Sequence, residues 1–276
     1  MQRIDAHQHF WRYNAKDHAW ITDEMSVIRR DFLPADLLPL LQQQSIDGCV
    51  AVQADQSAAE NEFLLQLAGE NDWIKAVIGW IDFKAADIDD QLAGMQQHTK
   101  LKGFRHILQG EADDAYMLQP AFLNGINKLV KYNYTYDILV FPRHLENVAK
   151  FVNRFPNQPF VIDHLAKPYI KNKAIGEWES DLRKIAAFDN VSCKVSGIIT
   201  EADWQHWTQE DIKPYLDVVF NAFGTKRIMF GSDWPVCLVA GAYAQVAEII
   251  DNYLSGFSDY EKQLVWGGNA SQFYNL

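Results

Sequence analysis

The chain has 276 residues, 48% hydrophobic, 22% charged and 13% aromatic, with a formal net charge of −11 at pH 7. That composition belongs to a globular chain with a large core and excludes a disordered one. The acidity excludes charge-driven binding to nucleic acid or to an anionic membrane surface, because both need clustered lysine and arginine.

Apolar, β-rich runs begin at once, over residues 3–10, and recur over 48–54, 75–82, 102–108, 135–141, 160–164, 191–196 and 227–232. Between them apolar residues return every three or four positions, as in Phe63, Leu64, Leu67 and Ala68, or Leu123, Ile126, Leu129 and Val130. This is the spacing of helices with one buried face. Runs such as Cys49-Val50-Ala51-Val52 and Phe160-Val161-Ile162 are continuous rather than alternating, as strands covered on both faces must be. Strands that each precede a helix predict an α/β fold, a closed (β/α)8 TIM barrel, with residues 1–276 as one domain. The competing open sheet would carry a G-x-G-x-x-G phosphate turn after its first strand, and the chain has none.

Two segments interrupt the rhythm, 11–33 and 197–213, and both follow strand C-termini, where a barrel builds its active site. Their Trp11, Tyr13, Trp20, Trp204 and Trp207 are expected either to wall a pocket or to seal the loops onto the barrel. Cys49, Cys193 and Cys237 are odd in number and widely spaced, which predicts buried free thiols rather than a disulfide framework or a thiolate zinc cluster. With no secretory signal pattern and no run of about 18 apolar residues, a cytoplasmic protein is expected.

The polar residues of the strands fall near one rim. His7 and His9 stand two apart in Asp5-Ala6-His7-Gln8-His9 and so leave one face of an extended strand. Arg105 and His106 lie on strand 4, Asp163 and His164 end strand 6, Lys194 lies on strand 7 and Asp233 follows strand 8. In a barrel such strand ends converge on the axis, so His7, His9, His164 and Asp233 form the candidate catalytic constellation. One of Arg105 and His106 must face the interior and the other the helices. His18, His98, His144 and His206 fit no shared cluster.

Asp5-Ala6-His7-Gln8-His9-Phe10, Asp163-His164-Leu165-Ala166-Lys167-Pro168, Lys194-Val195-Ser196-Gly197, Phe230-Gly231-Ser232-Asp233-Trp234-Pro235 and Gly268-Asn269-Ala270 together resemble the amidohydrolase superfamily. More narrowly they resemble its sugar-lactonase branch, which includes L-fuconolactone and L-rhamnonolactone hydrolases and 2-pyrone-4,6-dicarboxylate lactonase. The resemblance implies a (β/α)8 barrel of amidohydrolase type in which His7, His9, His164 and Asp233 surround the scissile bond. Against the binuclear members, strand 5 reads Thr135-Tyr136-Asp137-Ile138-Leu139-Val140 and is expected to supply neither a bridging group nor a further histidine.

The chemistry expected is hydrolysis of a lactone to the free acid. Asp233 acts as general base on water while His7, His9 and His164 polarise the carbonyl, because a water nucleophile needs a base and a tetrahedral oxyanion needs donors. Lactones are activated relative to amides, so turnover without a cofactor is favoured. The alternative is one Zn²⁺ held by His7, His9, His164 and Asp233. Arg105 and Lys194 are candidates for binding substrate hydroxyls, and Trp80, Trp234 and Tyr243 for stacking on a sugar ring. Only Arg105, Arg143, Lys167 and Lys194 are cations near the rim, too few for a dianionic pyrone, so a small neutral aldonolactone is the expected substrate. No nucleic-acid or membrane partner is expected, and self-association into a homo-oligomer is left open. Two other readings use the same residues: a metal-dependent nonoxidative decarboxylase, and a carbohydrate-binding barrel without turnover.

Overall fold

The structure, a computed structural model, describes residues 2–276. Eight strands form one sheet in sequential order: β1 (Ile4–Gln8), β2 (Gly48–Val52), β3 (Ile74–Gly79), β4 (Leu101–His106), β5 (Thr135–Ile138), β6 (Phe160–Ile162), β7 (Val191–Val195) and β8 (Ile228–Phe230). All neighbouring pairs are parallel, which requires a crossover after every strand. The crossovers are the helices α1 (Pro34–Gln43), α2 (Ala58–Glu70), α3 (Ile88–Met95), α4 (Pro120–Leu129), α5 (Leu145–Val152), α6 (Gly176–Ala186) and α7 (Gln209–Phe223). After β8 come α8 (Tyr243–Tyr253), α9 (Asp259–Gln263) and α10 (Asn269–Tyr274). Every predicted strand is present, each shorter than its apolar run.

Helix starts follow local chemistry. Ser57 caps α2 by accepting from the Glu60 amide, and Thr208 with Asp211 forms a capping box on α7, each such cap contributing about 1 kcal/mol. Proline opens α1 and α4, where its missing N–H would have had no partner.

The sheet closes through a seam, not a ladder. The segment after β8 meets β1 by a bridge between Gln8 and Trp234, with the His9 amide donating to the Trp234 carbonyl at 2.7 Å and the Asp233 amide to the His7 carbonyl at 2.8 Å. Below the bridge the buried Asp5 carboxylate accepts from the amides of His7 and Ser232 and from the Tyr243 hydroxyl. Gly231 is required here, because a Cβ at that position would lie 2.6 Å from the His7 Cβ.

Two cores result. The larger lies between strands and helices, and the smaller fills the barrel with Ile4, Val50, Ala76, Val161 and Met229, joined by Ala270 and Tyr274 of α10. Helix α10 covers the N-terminal end of the strands, where Asn269 donates to the carbonyls of Thr225 and Ile228 at 2.7 Å. The long segment after β1 is pinned by an antiparallel bridge between Trp11 and Phe32, and Trp11 is 1% exposed, so it seals the loop. Trp204 and Trp207 likewise donate to the loop carbonyls of Thr200 and Ala240. The cysteines are free and buried. Among the described residues no helix is long and apolar enough to cross a membrane.

Candidate active site

The polar ends of β1, β6 and β8 meet on the barrel axis. A register shift between Asp5 and Gln8 in the β1–β2 pairing resets the alternation, so that Ala6 and His7 both reach the interior. After β6, residues His164, Leu165, Ala166 and Lys167 all take the left-handed conformation. Such backbone costs about 1 kcal/mol or more per residue without a glycine. It is held by the Lys167 amide on the His164 carbonyl at 2.6 Å and by the Trp178 indole on the Leu165 carbonyl at 2.8 Å. The turn brings the His164 ring back over the axis, 4.3 Å from the His7 ring. Asp233 is also left-handed, with φ 58°.

The three imidazoles share one arrangement. His9 Nδ1 donates to the Val52 carbonyl at 2.7 Å, His164 Nδ1 is 2.9 Å from the Ser196 hydroxyl, and His7 Nδ1 is 3.2 Å from Asp163 Oδ1. Each Nε2 therefore turns inward, toward Asp233 Oδ1, at 4.0 Å from His7, 3.4 Å from His9 and 3.8 Å from His164. Gly197 stands against this cluster with φ +61°, where a Cβ would come within 2.7 Å of His164 Nδ1. All four residues are at most 5% exposed.

Burial sets the charges. It pushes the pKa of His7 and His164 well below the ordinary histidine value, and lowers that of His9, so the rings are neutral at neutral pH. Burial pulls Asp233 up, but His164 and His9 beside it outweigh that and hold its carboxyl below the ordinary range. The result is an ionised Asp233 facing three imidazoles that burial keeps neutral.

That donor set fits a divalent ion. Ligand atoms of His7, His164 and Asp233 all lie within 4.8 Å of one another, and His9 Nε2 adds a neighbour 3.3 Å from His7 Nε2. Ligands around tetrahedral zinc, at about 2.0–2.1 Å from the ion, stand about 3.3 Å apart. Nδ1 groups tied back to a carboxylate, a carbonyl and a hydroxyl are the usual support of metal-binding histidines. The expectation of turnover without a cofactor does not match this geometry.

Beneath the cluster, on the side of α10, lies an ionic layer. Asp163 Oδ2 accepts from Arg105 at 3.1 Å, and Lys194 Nζ is 3.1 Å from Asp163 Oδ1 and 2.5 Å from Asp137 Oδ2. Asp137 also accepts from the Tyr274 hydroxyl of α10 at 3.0 Å. Burial would raise the Asp163 pKa, yet Lys194, His7 and Arg105 hold it well below the carboxylate range. Burial raises Asp137 to about 6 against the pull of Lys194.

This layer corrects several expectations. Arg105 faces inward and His106 outward, but the Arg105 fork is spent on Asp163, His7 and Gln53, which leaves no pair of donors for substrate hydroxyls. Lys194 is 0% exposed and so does not reach a ligand. Strand β5 does carry an inward carboxylate, Asp137, which is engaged by Lys194 and Tyr274 and is not open to bridge a second metal. Trp234 is 1% exposed between Phe10 and Phe32, and Tyr243 is 2% exposed with its hydroxyl on Asp5, so neither offers a ring face to a sugar. Trp80 is half-buried at the end of β3, and its indole donates to His106 Nδ1 at 3.3 Å, leaving only its ring for stacking. His18, His144 and His206 sit apart, against Trp11, Asp114 and Asp203.

Sequence reasoning missed Asp137, Ser196 and Tyr274, and gave Asp163 no role. For Asp137 a signal existed, since a carboxylate inside a strand covered on both faces must have a partner. For Tyr274 none did.

Comparison with known proteins agrees with this geometry. The chain is 42% identical to an L-fucono-1,5-lactonase of Burkholderia multivorans, over 99% of this chain and 96% of the relative. It is 36% identical to an L-fucono-1,5-lactonase of Burkholderia ambifaria, again over 99% and 96%. Among solved structures, an amidohydrolase from Burkholderia multivorans with bound zinc superposes with a TM-score of 0.97 at 42% identity, covering 100% of both chains. A family model described as amidohydrolase matches residues 4–276, and the chain belongs to the amidohydrolase family.

Proposed function

We propose that this amidohydrolase is a lactone hydrolase that opens a neutral six-carbon aldonolactone of the L-fucono-1,5-lactone type to the free sugar acid. One observation carries the reading: a single carboxylate oxygen, Asp233 Oδ1, faces three pinned imidazoles at 3.4–4.0 Å at the strand C-termini. The name shared by the relatives at 42% and 36% identity supports the lactone class.

Asp233, charged at neutral pH, takes a proton from water as the water oxygen bonds to the lactone carbonyl carbon. His7, His9 and His164 border the position of the developing oxyanion. The bond from that carbon to the ring oxygen then breaks, and the Asp233 carboxyl returns its proton to the departing alkoxide. The same residues fit one zinc ion, with His7, His164 and Asp233 as ligands and His9 beside them. Such an ion would polarise the carbonyl and acidify water. Arg105 NH1 stands 3.3 Å from His7 Nε2, and that lone pair would serve either the guanidinium or an ion, not both.

The pairing of the cations supports a neutral substrate. Arg105 and Lys194 are neutralised by Asp163 and Asp137, Arg143 is paired with Asp114, and Lys167 with Glu201. None is free for a dicarboxylate. The test is a pH-indicator assay on L-fucono-1,5-lactone, L-rhamnonolactone, 2-pyrone-4,6-dicarboxylate and an unsubstituted lactone. Sugar lactones are expected to exceed the others in kcat/KM by at least about tenfold, as unsatisfied hydroxyl partners dictate. Preference for the dicarboxylate, or equal rates throughout, overturns the reading.

A further inference from the structure

Outside the catalytic cluster, one charged pair stands on the same rim. Lys167 ends the left-handed turn that aims His164 at the axis, with its amide on the His164 carbonyl. Its ammonium lies 3.3 Å from Glu201 Oε1 and 5.7 Å from the centre of the Phe141 ring. Phe141 follows β5 and Glu201 follows β7, so the lysine head lies between the loops that leave these two strands. Glu201 comes shortly after Gly197, the position that abuts His164 and Asp233. It also lines a cavity of about 750 Å³, shared with Glu24 after β1, Tyr169 and Asn172 after β6, and Thr200 and Trp204 beside it. The cavity thus lies among the loops of the catalytic face.

The pair is not what joins these loops. The Lys171 amide donates to the Glu201 carbonyl at 3.0 Å, which ties the two segments through backbone alone. Charge-assisted bonds from nitrogen to oxygen are about 2.7–2.9 Å long, and Lys131 on Asp89 and Lys213 on Asp217 reach 2.8 Å. At 3.3 Å the Lys167–Glu201 pair is looser, and its side chains are 18% and 19% exposed. An ammonium has three donors, and a carboxylate accepts at both oxygens. Apart from the Phe141 ring, neither head has another partner among the described residues. A hydroxyl completes such a pair, because it accepts from the ammonium and donates to the carboxylate. A ligand carboxylate does not, because Glu201 repels it.

We propose that Lys167 and Glu201 determine specificity: as a donor and acceptor side by side on the rim they read hydroxyls of the lactone, and the Glu201 charge turns away an anionic one. The inference rests on the sugar-lactone reading and names the residues that give it selectivity.

The test uses Lys167→Met, which keeps the stem and removes the ammonium, and Glu201→Gln, which keeps the shape and removes the charge. For each, kcat/KM is measured on L-fucono-1,5-lactone and on an unsubstituted six-membered lactone, and inhibition by 2-pyrone-4,6-dicarboxylate is measured alongside. In both variants the preference for the sugar lactone is expected to fall about tenfold, the effect of losing one hydrogen bond to a charged group. The dicarboxylate is expected to inhibit Glu201→Gln more tightly than wild type and Lys167→Met more weakly. A pair that only shaped the loops would lower both lactones in proportion and move inhibition the same way in both variants, and either result overturns the proposal. Should one variant not fold, the sugar preference of the other decides. A wild type without turnover of the sugar lactone overturns the sugar-lactone reading and this inference with it, whereas an active wild type whose variants keep its preference overturns this inference alone.

Discussion

Two adjacent layers of the barrel interior use similar residues to opposite ends. In the lower one, Arg105 and Lys194 face Asp137 and Asp163, so charge is balanced within hydrogen-bond distance. In the upper one, Asp233 faces three neutral imidazoles, and among the described residues no lysine or arginine stands at ion-pair distance from it. A buried pair that satisfies itself supports structure, whereas a buried cluster that lacks a cation or a proton is arranged for something that arrives. On the proposed function, the difference separates the residues that hold the site from those that would perform its chemistry.

The sharpest way to break this comparison is to remove the cation from the lower layer. Lys194→Met leaves two carboxylates buried without their common partner, and a loss of about 3–5 kcal/mol is expected in urea unfolding, as for other broken buried pairs. In the upper layer, Asp233→Asn is expected to lower turnover at least about a hundredfold through loss of the base, with the unfolding midpoint unchanged or raised. If Lys194→Met were harmless to stability while Asp233→Asn unfolded the protein, the two layers would have been assigned the wrong way round.

A smaller change tests whether the upper cluster is organised for a metal. Ser196→Ala removes the group at His164 Nδ1, and zinc affinity by isothermal titration is expected to fall about tenfold. Unchanged affinity would take His164 out of the ligand set.

The smallest effect concerns the seam. Burial raises the Asp5 pKa from 3.8 to about 6, so the fold favours its protonated form. That contribution is complete below about pH 3.8 and is lost as pH rises through about 6. Asp5→Asn keeps an oxygen for the two amides and removes the charge, so added stability is expected at pH 8, disappearing below pH 4. Thermal unfolding across that range checks the sign, and a destabilised variant at pH 8 would show that the ionised carboxylate is what closes the barrel.

Much of the fold was legible because its signals are local. Continuous apolar strands, helical spacing between them and the His7–His9 pair all lie within a few residues of one another, and a carboxylate after β8 completes the upper cluster. The lower layer was not legible, because its members are scattered over β4, β5, β6, β7 and α10. Reading Arg105 and Lys194 as ligands for substrate assumed that inward polar groups face the mouth, but depth along the axis decides whether they meet substrate or one another. Trp234 and Tyr243 failed similarly, since proximity to a strand end does not say which side of the wall an aromatic ring occupies.

By itself the sequence determined the barrel, its strand order and the residues that ring its mouth, because periodicity and parallel connection leave few alternatives. Only the tertiary structure decided that β1 shifts register beside His7, that Asp137 and Lys194 pair, and that Tyr274 closes beneath them. Those outcomes depend on closing the sheet: an alternating strand defines two faces, but which face becomes the interior, and at what height its polar groups meet, is set when β8 reaches β1 and α10 covers the floor.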